Sequence, residues 1–221
     1  YLNLTYHPTD NWTVKTGGMY RDKVRTSFFN EYTFDSSTGT EQYQVYGTDW
    51  NNFDEILLTP RAYGNVGDPL NYDATEKIGG VYGMATYQKG KMEVVGGFRA
   101  EHTNQGYVLK YPRSTQGEGN QKYWDCLPDL HLKYHLTEKM NLHLSYARAI
   151  NRPSFFEIVP YSIINEEYKE KGNPDLKHTV ADNLDLRWEF FPQAAEQLMV
   201  GFFYKHLQNP IEYGLISEGQ D

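Results

Sequence analysis

Apolar and polar residues alternate strictly in two stretches of the second half of the chain. In MNLHLSYARAI, Met140, Leu142, Leu144 and Tyr146 fall on one side and Asn141, His143 and Ser145 on the other. In NLDLRWEF, Leu184, Leu186, Trp188 and Phe190 alternate against Asn183, Asp185, Arg187 and Glu189. A period of two predicts strands of a sheet with one large apolar face and one polar or charged face. The same rhythm places further strands near residues 1–6, 12–26, 79–87, 91–102, 123–136, 140–150, 180–191 and 197–206, with a short last piece at 211–215. Several reach the roughly 9–11 residues that a tilted strand needs to cross a bilayer.

The connections sharpen this picture. Short turns at 7–11, 88–90, 137–139 and 192–196 alternate with long loops at 27–78, 103–122 and 151–179. In an up-and-down meander this puts all short turns at one end of the sheet and all long loops at the other, as in bacterial outer-membrane barrels. A soluble sandwich has no reason to keep such an alternation. Parity fixes the hairpins as well. Leu130, Leu132 and Tyr134 share the even phase of Leu142, Leu144 and Tyr146, so Leu132 should lie opposite Leu144 and Lys133 opposite His143. A slip of one residue would bring apolar and charged faces together. By the same argument Trp188 should meet Val200, and Leu186 should meet Phe202. Glycine pairs at 17–18, 79–80 and 96–97 mark strand curvature or close approaches.

Composition narrows the classes. With 21 basic and 29 acidic residues in 221, the chain lacks the basic excess of a general nucleic-acid binder. A mean hydropathy of −0.71 and the lack of an apolar run near 18 residues argue against a membrane-spanning helix. They leave a membrane barrel open, because its lumen-facing positions are polar. Aromatic residues make up 15% of the chain, which suits barrel girdles or a carbohydrate-binding sandwich. The single Cys126 permits no internal disulfide and no cysteine metal cluster. The sequence opens in mid-strand and stops in polar sequence just after a strand, so a piece of a longer protein is expected.

A resemblance becomes specific between the two alternating stretches. SYARAINRPSFFEIVPY supplies Tyr146, Arg148, Ile150, Arg152, Pro153, Ser154 and Phe155; GNPDLKHTVADN supplies Gly172, Asn173, Pro174, Asp175, Leu176, Asp182 and Asn183. Together these resemble the C-terminal barrel region of TonB-dependent outer-membrane receptors. There, a Tyr-x-Arg-x-Ile-x-Arg-Pro-Ser/Asn-Phe element ends one strand and a Gly-Asn-Pro-x-Leu element leads into the next. His178 departs from the Lys-Pro that usually follows in that family.

Chemistry is sparse. No nucleophile elbow, His-Glu-x-x-His, phosphate loop or zinc spacing occurs, so no enzyme, metal site or cofactor is expected. His131 and His135 are four apart in a strand, about 13 Å at 3.3 Å per residue, too far for one metal. With His143 they read as polar lumen residues. Asp54, Glu55, Glu157, Glu166, Glu167 and Glu170 read as solvated loop charges. Arg148 and Arg152 read chiefly as structural. Pro153 helps end the strand, and Phe155, Phe156, Ile158 and Val159 need cover, so this loop should fold back onto the rim. The ligand-binding candidates are loop aromatics: Trp50, Tyr107, Tyr111, Tyr161 and Tyr168, in a wider group with Phe28, Phe29, Tyr32, Tyr43 and Tyr46. Their flat bodies and polar tips suit stacking on sugars or chelators as well as loop packing.

The expected fold is all-β: an antiparallel meander over 1–221 forming part of a large transmembrane barrel. The resemblance implies a bacterial outer-membrane receptor whose roughly 22 strands surround a plug. The plug and the remaining strands would lie outside this chain. Such a receptor takes up scarce ligands such as ferric siderophores, haem, cobalamin or oligosaccharides. The implied partners are the TonB complex acting through the plug, membrane lipid, the ligand, and in some systems a surface lipoprotein; nucleic acid is not among them. Two alternatives stay open: a soluble glycan-binding sandwich, in which Leu142, Leu144, Leu184 and Trp188 would face a dry core, and a passive porin or autotransporter barrel.

Overall fold

Strand succeeds strand along most of the chain, each hydrogen-bonded to the next in antiparallel fashion. The computed structural model describes residues 1–29, 34–36, 58–60, 70–110, 117–164 and 167–215. In chain order these form β1 (Leu2–Thr9), β2 (Trp12–Ser27), β3 (Phe34–Ser36), β4 (Leu58–Pro60), β5 (Tyr72–Lys89), β6 (Met92–Leu109), β7 (Glu118–Thr137), β8 (Met140–Asn151), the short helix α1 (Phe155–Ile158), β9 (Ser162–Ile164), β10 (Lys169–Lys171), β11 (Thr179–Phe190) and β12 (Leu198–Gln208). One sheet takes β1, β2, β5, β6, β7, β8, β11 and β12 in that order, while β3–β4 and β9–β10 are small hairpins within the connections. The large sheet does not close on itself; β1 and β12 each keep one unpaired edge among the described residues.

The register follows the apolar pattern. Leu132 pairs with Leu144 and Lys133 with His143. Trp188 pairs with Val200 and Leu186 with Phe202. The even residues of β7, β8, β11 and β12 therefore share one face, with Asn141, His143, Asp185 and Arg187 on the other. No second layer of described residues covers the apolar face: Leu144 is 38% exposed and Phe202 63%. A soluble sandwich would bury these side chains, and a patch this large left bare marks an interaction or membrane surface.

Several strands run further than the alternation predicted. β5 begins at Tyr72, β6 continues to Leu109 and β7 begins at Glu118. The supposed loop at 103–122 is thus mostly strand, with a connection only at 110–117, and residues 72–78 of the supposed loop at 27–78 are strand too. The apolar phase inverts at this height. Below it, Val81, Ala85 and Tyr87 lie on the apolar face; above it, Tyr72, Ala74 and Ile78 point to the opposite side and are buried there. A reading that follows one phase stops where the phase changes. At the other end, β1 continues through Thr9, so the turn expected at 7–11 tightens to two residues. No strand forms at 211–215. The short and long connections keep their assigned ends, but the contrast in length is weaker, since 110–117 barely exceeds 191–197.

Gly17 shows what one strand glycine does. Tyr82 crosses its face to donate from Oη to Asn3 Oδ1 at 2.9 Å. A Cβ on Gly17 would lie 2.6 Å from the tyrosine ring.

Candidate functional site

The connection from β8 to β11, residues 152–178, folds back onto the polar side of the sheet. Pro153 ends the ladder, and Ser154 caps α1 in a reciprocal box. Ser154 N donates to Glu157 Oε2 (2.6 Å) and Glu157 N to Ser154 Oγ (3.3 Å). The turn aims Phe155, Ile158 and Val159 at the extended walls of β5 and β6. There they form a small core with Tyr72, Ala74, Tyr107 and Leu109, against which Leu176 packs. The cover that these apolar loop residues required is therefore the inner wall of two strands rather than the rim alone.

Polar clamps fix the loop around this core. Arg152 donates from Nε to Thr103 Oγ1 (3.0 Å) and is ion-paired to Glu101, which Arg99 also reaches. Gln105 Nε2 donates to the Pro153 carbonyl at 2.8 Å. Gln121 Nε2 donates to the carbonyls of Leu176 (2.7 Å) and Pro174 (3.2 Å). His178 Nε2 sits 2.8 Å from Asp125 Oδ1, and its ring stacks on Tyr123 with centroids 4.0 Å apart. The residue that departs from the familiar motif is thus a clamp. Asn173 N donates to the Glu157 carbonyl at 2.8 Å, tying the Gly-Asn-Pro element to α1. Gly172 sits against Val159 and the Tyr161 ring, and a Cβ there would come within 2.8 Å of that ring. Only glycine fits this approach.

The motif residues divide between the two faces. Arg152, Pro153, Phe155, Gly172, Asn173, Pro174 and Leu176 build the folded loop. Asn183, opposite Ala147, donates from Nδ2 to its carbonyl at 3.2 Å on the polar face. Tyr146 and Arg148 instead stand on the apolar face. Both converge on Asp182, with Tyr146 Oη donating to Oδ1 at 2.7 Å and Arg148 Nε and Nη2 at 2.8 and 3.1 Å. Arg148 is therefore neutralised on the outer side of the sheet.

Of the aromatic candidates, Tyr107 (4% exposed) and Tyr161 (3%) are buried beneath the folded loop, whereas Tyr168 is exposed. Burial, and then the facing Glu170 carboxylate, push the Tyr161 hydroxyl well above the ordinary tyrosine value. Tyr161 donates to Glu170 at 2.5 Å. Glu157 and Glu170, expected as solvated charges, thus each hold a loop contact, while Glu167 is exposed. Phe28 is exposed and Phe29 partly covered. Trp50, Tyr111, Tyr32, Tyr43, Tyr46, Asp54, Glu55 and Glu166 lie outside the described residues. On the polar wall His143 Nε2 is 2.9 Å from Glu189 and His135 Nδ1 2.8 Å from Asn141. No group of three potential metal ligands gathers among the described residues.

The family model described as "outer membrane protein beta-barrel family" matches residues 64–220. The chain belongs to that family. It is a β-barrel segment of the bacterial outer membrane, and its bare apolar face is the lipid-facing wall. Aromatic residues stand on that face near both ends of the apolar band. Trp12 and Tyr87, ring centroids 4.8 Å apart, lie by the short turns, with Tyr20 and Trp124 toward the long connections. Such aromatic girdles mark the two membrane interfaces. No curated protein matches the chain. Among solved structures it is similar to the FrpB iron transporter from Neisseria meningitidis (F3-3 variant), with a TM-score of 0.56 and 12% identity over 94% of this chain. At that identity the likeness concerns fold. The chain spans 27% of that transporter's length.

Proposed function

We propose that this segment belongs to an energy-coupled receptor that carries a scarce ligand, such as a ferric siderophore, haem, cobalamin or an oligosaccharide, across the outer membrane. The observation that carries the reading is the folded 152–178 connection. It occupies the lumen side of the wall and is held by a core and by side-chain clamps from Arg152, Gln105, Gln121 and His178, where a passive porin leaves a water-filled channel. The Tyr-x-Arg and Gly-Asn-Pro elements and the fold shared with an iron transporter support it. Transport, not covalent chemistry, is the activity. Coupling to TonB would act through a plug outside these 221 residues, and a surface lipoprotein is a compatible further partner.

Ligand capture falls to the long-connection end. The exposed Tyr168 offers a ring to a ligand, and Trp50 and Tyr111, outside the described residues, are proposed as further contacts, while Tyr107 and Tyr161 support the loop from beneath. The test is accumulation of labelled ferric chelates, haem, cobalamin and oligosaccharides by cells with and without the full-length protein, before and after a protonophore. The reading expects one ligand class to accumulate only with the protein present and only while the proton-motive force is intact. Protonophore-insensitive uptake would instead favour a passive barrel.

A further inference from the structure

The lumen-facing side of β2 carries a run of cations beside the folded connection. Counting along alternate positions, that side reads Lys15, Gly17, Met19, Arg21, Lys23 and Arg25, paired with Met84, Tyr82, Gly80, Ile78, Glu76 and Ala74 of β5. Ala74 and Ile78 are buried on the lumen side, which fixes the direction of their β2 neighbours. Arg21, Lys23 and Arg25 stand about 6.6 Å apart at two strand residues per step, and Lys15 lies about 20 Å below Arg21. Arg21 Nη2 donates to Glu76 Oε1 at 2.8 Å, and Lys23 Nζ lies 5.2 Å above the Phe155 ring. Arg25 and Lys15 are exposed and contact no carboxylate among the described residues.

Deeper on the same wall is a cleft of about 730 Å³ whose lining includes Lys15, Tyr82, Arg99, Glu101, Asp129 and Arg152. Ladder and cleft together present Lys15, Arg21, Lys23, Arg25, Arg99 and Arg152 against the carboxylates Glu76, Glu101 and Asp129. Glu76 and Glu101 are already held by arginines, and Asp129 lies 3.8 Å from His131 Nε2. A chain with a formal net charge of −8 thus concentrates unbalanced positive charge on one stretch of its lumen wall. The cleft is in the size range of small-molecule sites. Low-dielectric walls of one sign focus the field toward counter-charged solutes, and an unpaired guanidinium offers a fork that fits carboxylate or phosphate oxygens.

We propose that this wall binds a small solute bearing two or more carboxylate or phosphate charges, free or as a ferric chelate. Arg25, whose guanidinium is free, receives it near the mouth and Lys15 in the cleft, while the carboxylate-held Arg21, Arg99 and Arg152 add to the field along the wall. The proposal names the ligand class for the transport reading and rests on that reading. The test is equilibrium dialysis of the purified full-length protein in detergent against citrate, ferric citrate and pyrophosphate, with maltotriose as the uncharged comparison. At least one anion should bind and maltotriose should not, and added salt should weaken the binding. Comparison of citrate with pyrophosphate separates the carboxylate and phosphate sources.

Arg25→Gln and Lys15→Gln remove exposed, unpaired charges, so the fold should tolerate both, as checked by the heat-dependent shift of the folded barrel on a denaturing gel. Each should weaken anion binding, Arg25→Gln by about tenfold, the effect of losing one hydrogen bond to a charged group. Lys89→Gln at a short turn should leave it unchanged. Three outcomes overturn the proposal: no binding of any of the three anions, equal binding of maltotriose, or anion binding indifferent to both variants. Uptake that ignores the proton-motive force while anion binding persists would sink only the transport reading, and the reverse result would sink only the proposal made here.

Discussion

Truncating Phe155 to alanine tests whether the 152–178 connection is a packed part of the barrel. Its side chain is 2% exposed and belongs to a core with Tyr72, Ala74, Tyr107, Leu109, Ile158 and Val159. A buried aromatic covers at least about 150 Å², which at about 25 cal/mol per Å² comes to roughly 4 kcal/mol. Mutational experience with Phe→Ala in cores gives about 3–5 kcal/mol, so the two agree. The contact of Lys23 with the ring adds about 0.5–1 kcal/mol. Because the clamps from Gln105, Gln121 and His178 remain, the loss should appear as local opening of the loop rather than as unfolding of the barrel. A loss of about 4–5 kcal/mol lowers protection by about 10³–10⁴-fold, at 1.4 kcal/mol per decade. Hydrogen–deuterium exchange of the full-length protein in detergent should show this at Val159, Tyr161, Gly172 and Asn173, whose amides close the loop. The amides of the β7–β8 ladder around Leu132 and Leu144 should stay protected. Equal loss in loop and ladder, or a loop already unprotected before substitution, would refute the reasoning.

Three further outcomes follow from named contacts. Asp182→Asn leaves the Arg148 guanidinium poorly compensated on the lipid-facing wall and should cost about 1–2 kcal/mol in reversible urea unfolding into lipid vesicles. Arg148→Gln with Asp182→Asn should recover part of that loss, and strictly additive single effects would deny the coupling. Gly172→Ala drives a methyl into Val159 and Tyr161 and should loosen the loop by about 1–3 kcal/mol, seen as faster proteolysis within 152–178 at normal barrel content; unchanged cleavage would count against the close approach. Trimming the connections within 28–71 or 152–178 should impair ligand binding at normal surface levels, whereas shortening 138–139 or 191–197 should impair membrane insertion. Unimpaired binding after both long-connection trims would refute that division of labour.

Much of the sheet was legible because a half-lipid, half-polar wall imposes a period of two that few other folds sustain. Parity alone set Leu132 against Leu144 and Leu186 against Phe202, since one face had to stay apolar. The same reasoning stopped short at Ile78, His102 and Tyr123. Beyond the membrane the apolar side changes hands: Asp73, Thr75 and Lys77 turn outward, and Tyr72, Ala74 and Tyr107 turn toward the loop. Recognising that inversion at Gly79–Gly80 would have extended β5. The need for cover at Phe155 and Ile158 was readable, but not the identity of the cover, which lies some fifty to eighty residues earlier in the chain. Tyr107 and Tyr161 suited stacking and loop packing alike, because composition cannot tell a stacking platform from a loop core. The Asp125–His178 clamp joins residues 53 apart, and no local pattern announces it.

A barrel wall requires that one face of this sheet, and only one, meets lipid. Nitroxide labels at Leu144→Cys and His143→Cys, in full-length protein with Cys126→Ala and reconstituted in lipid vesicles, report that face one residue at a time. The label at 144 should collide with lipid-dissolved oxygen and be shielded from a water-soluble nickel chelate, and the label at 143 should lose that preference for oxygen. Water exposure at 144, or the same lipid signature at both positions, would contradict the barrel wall described above.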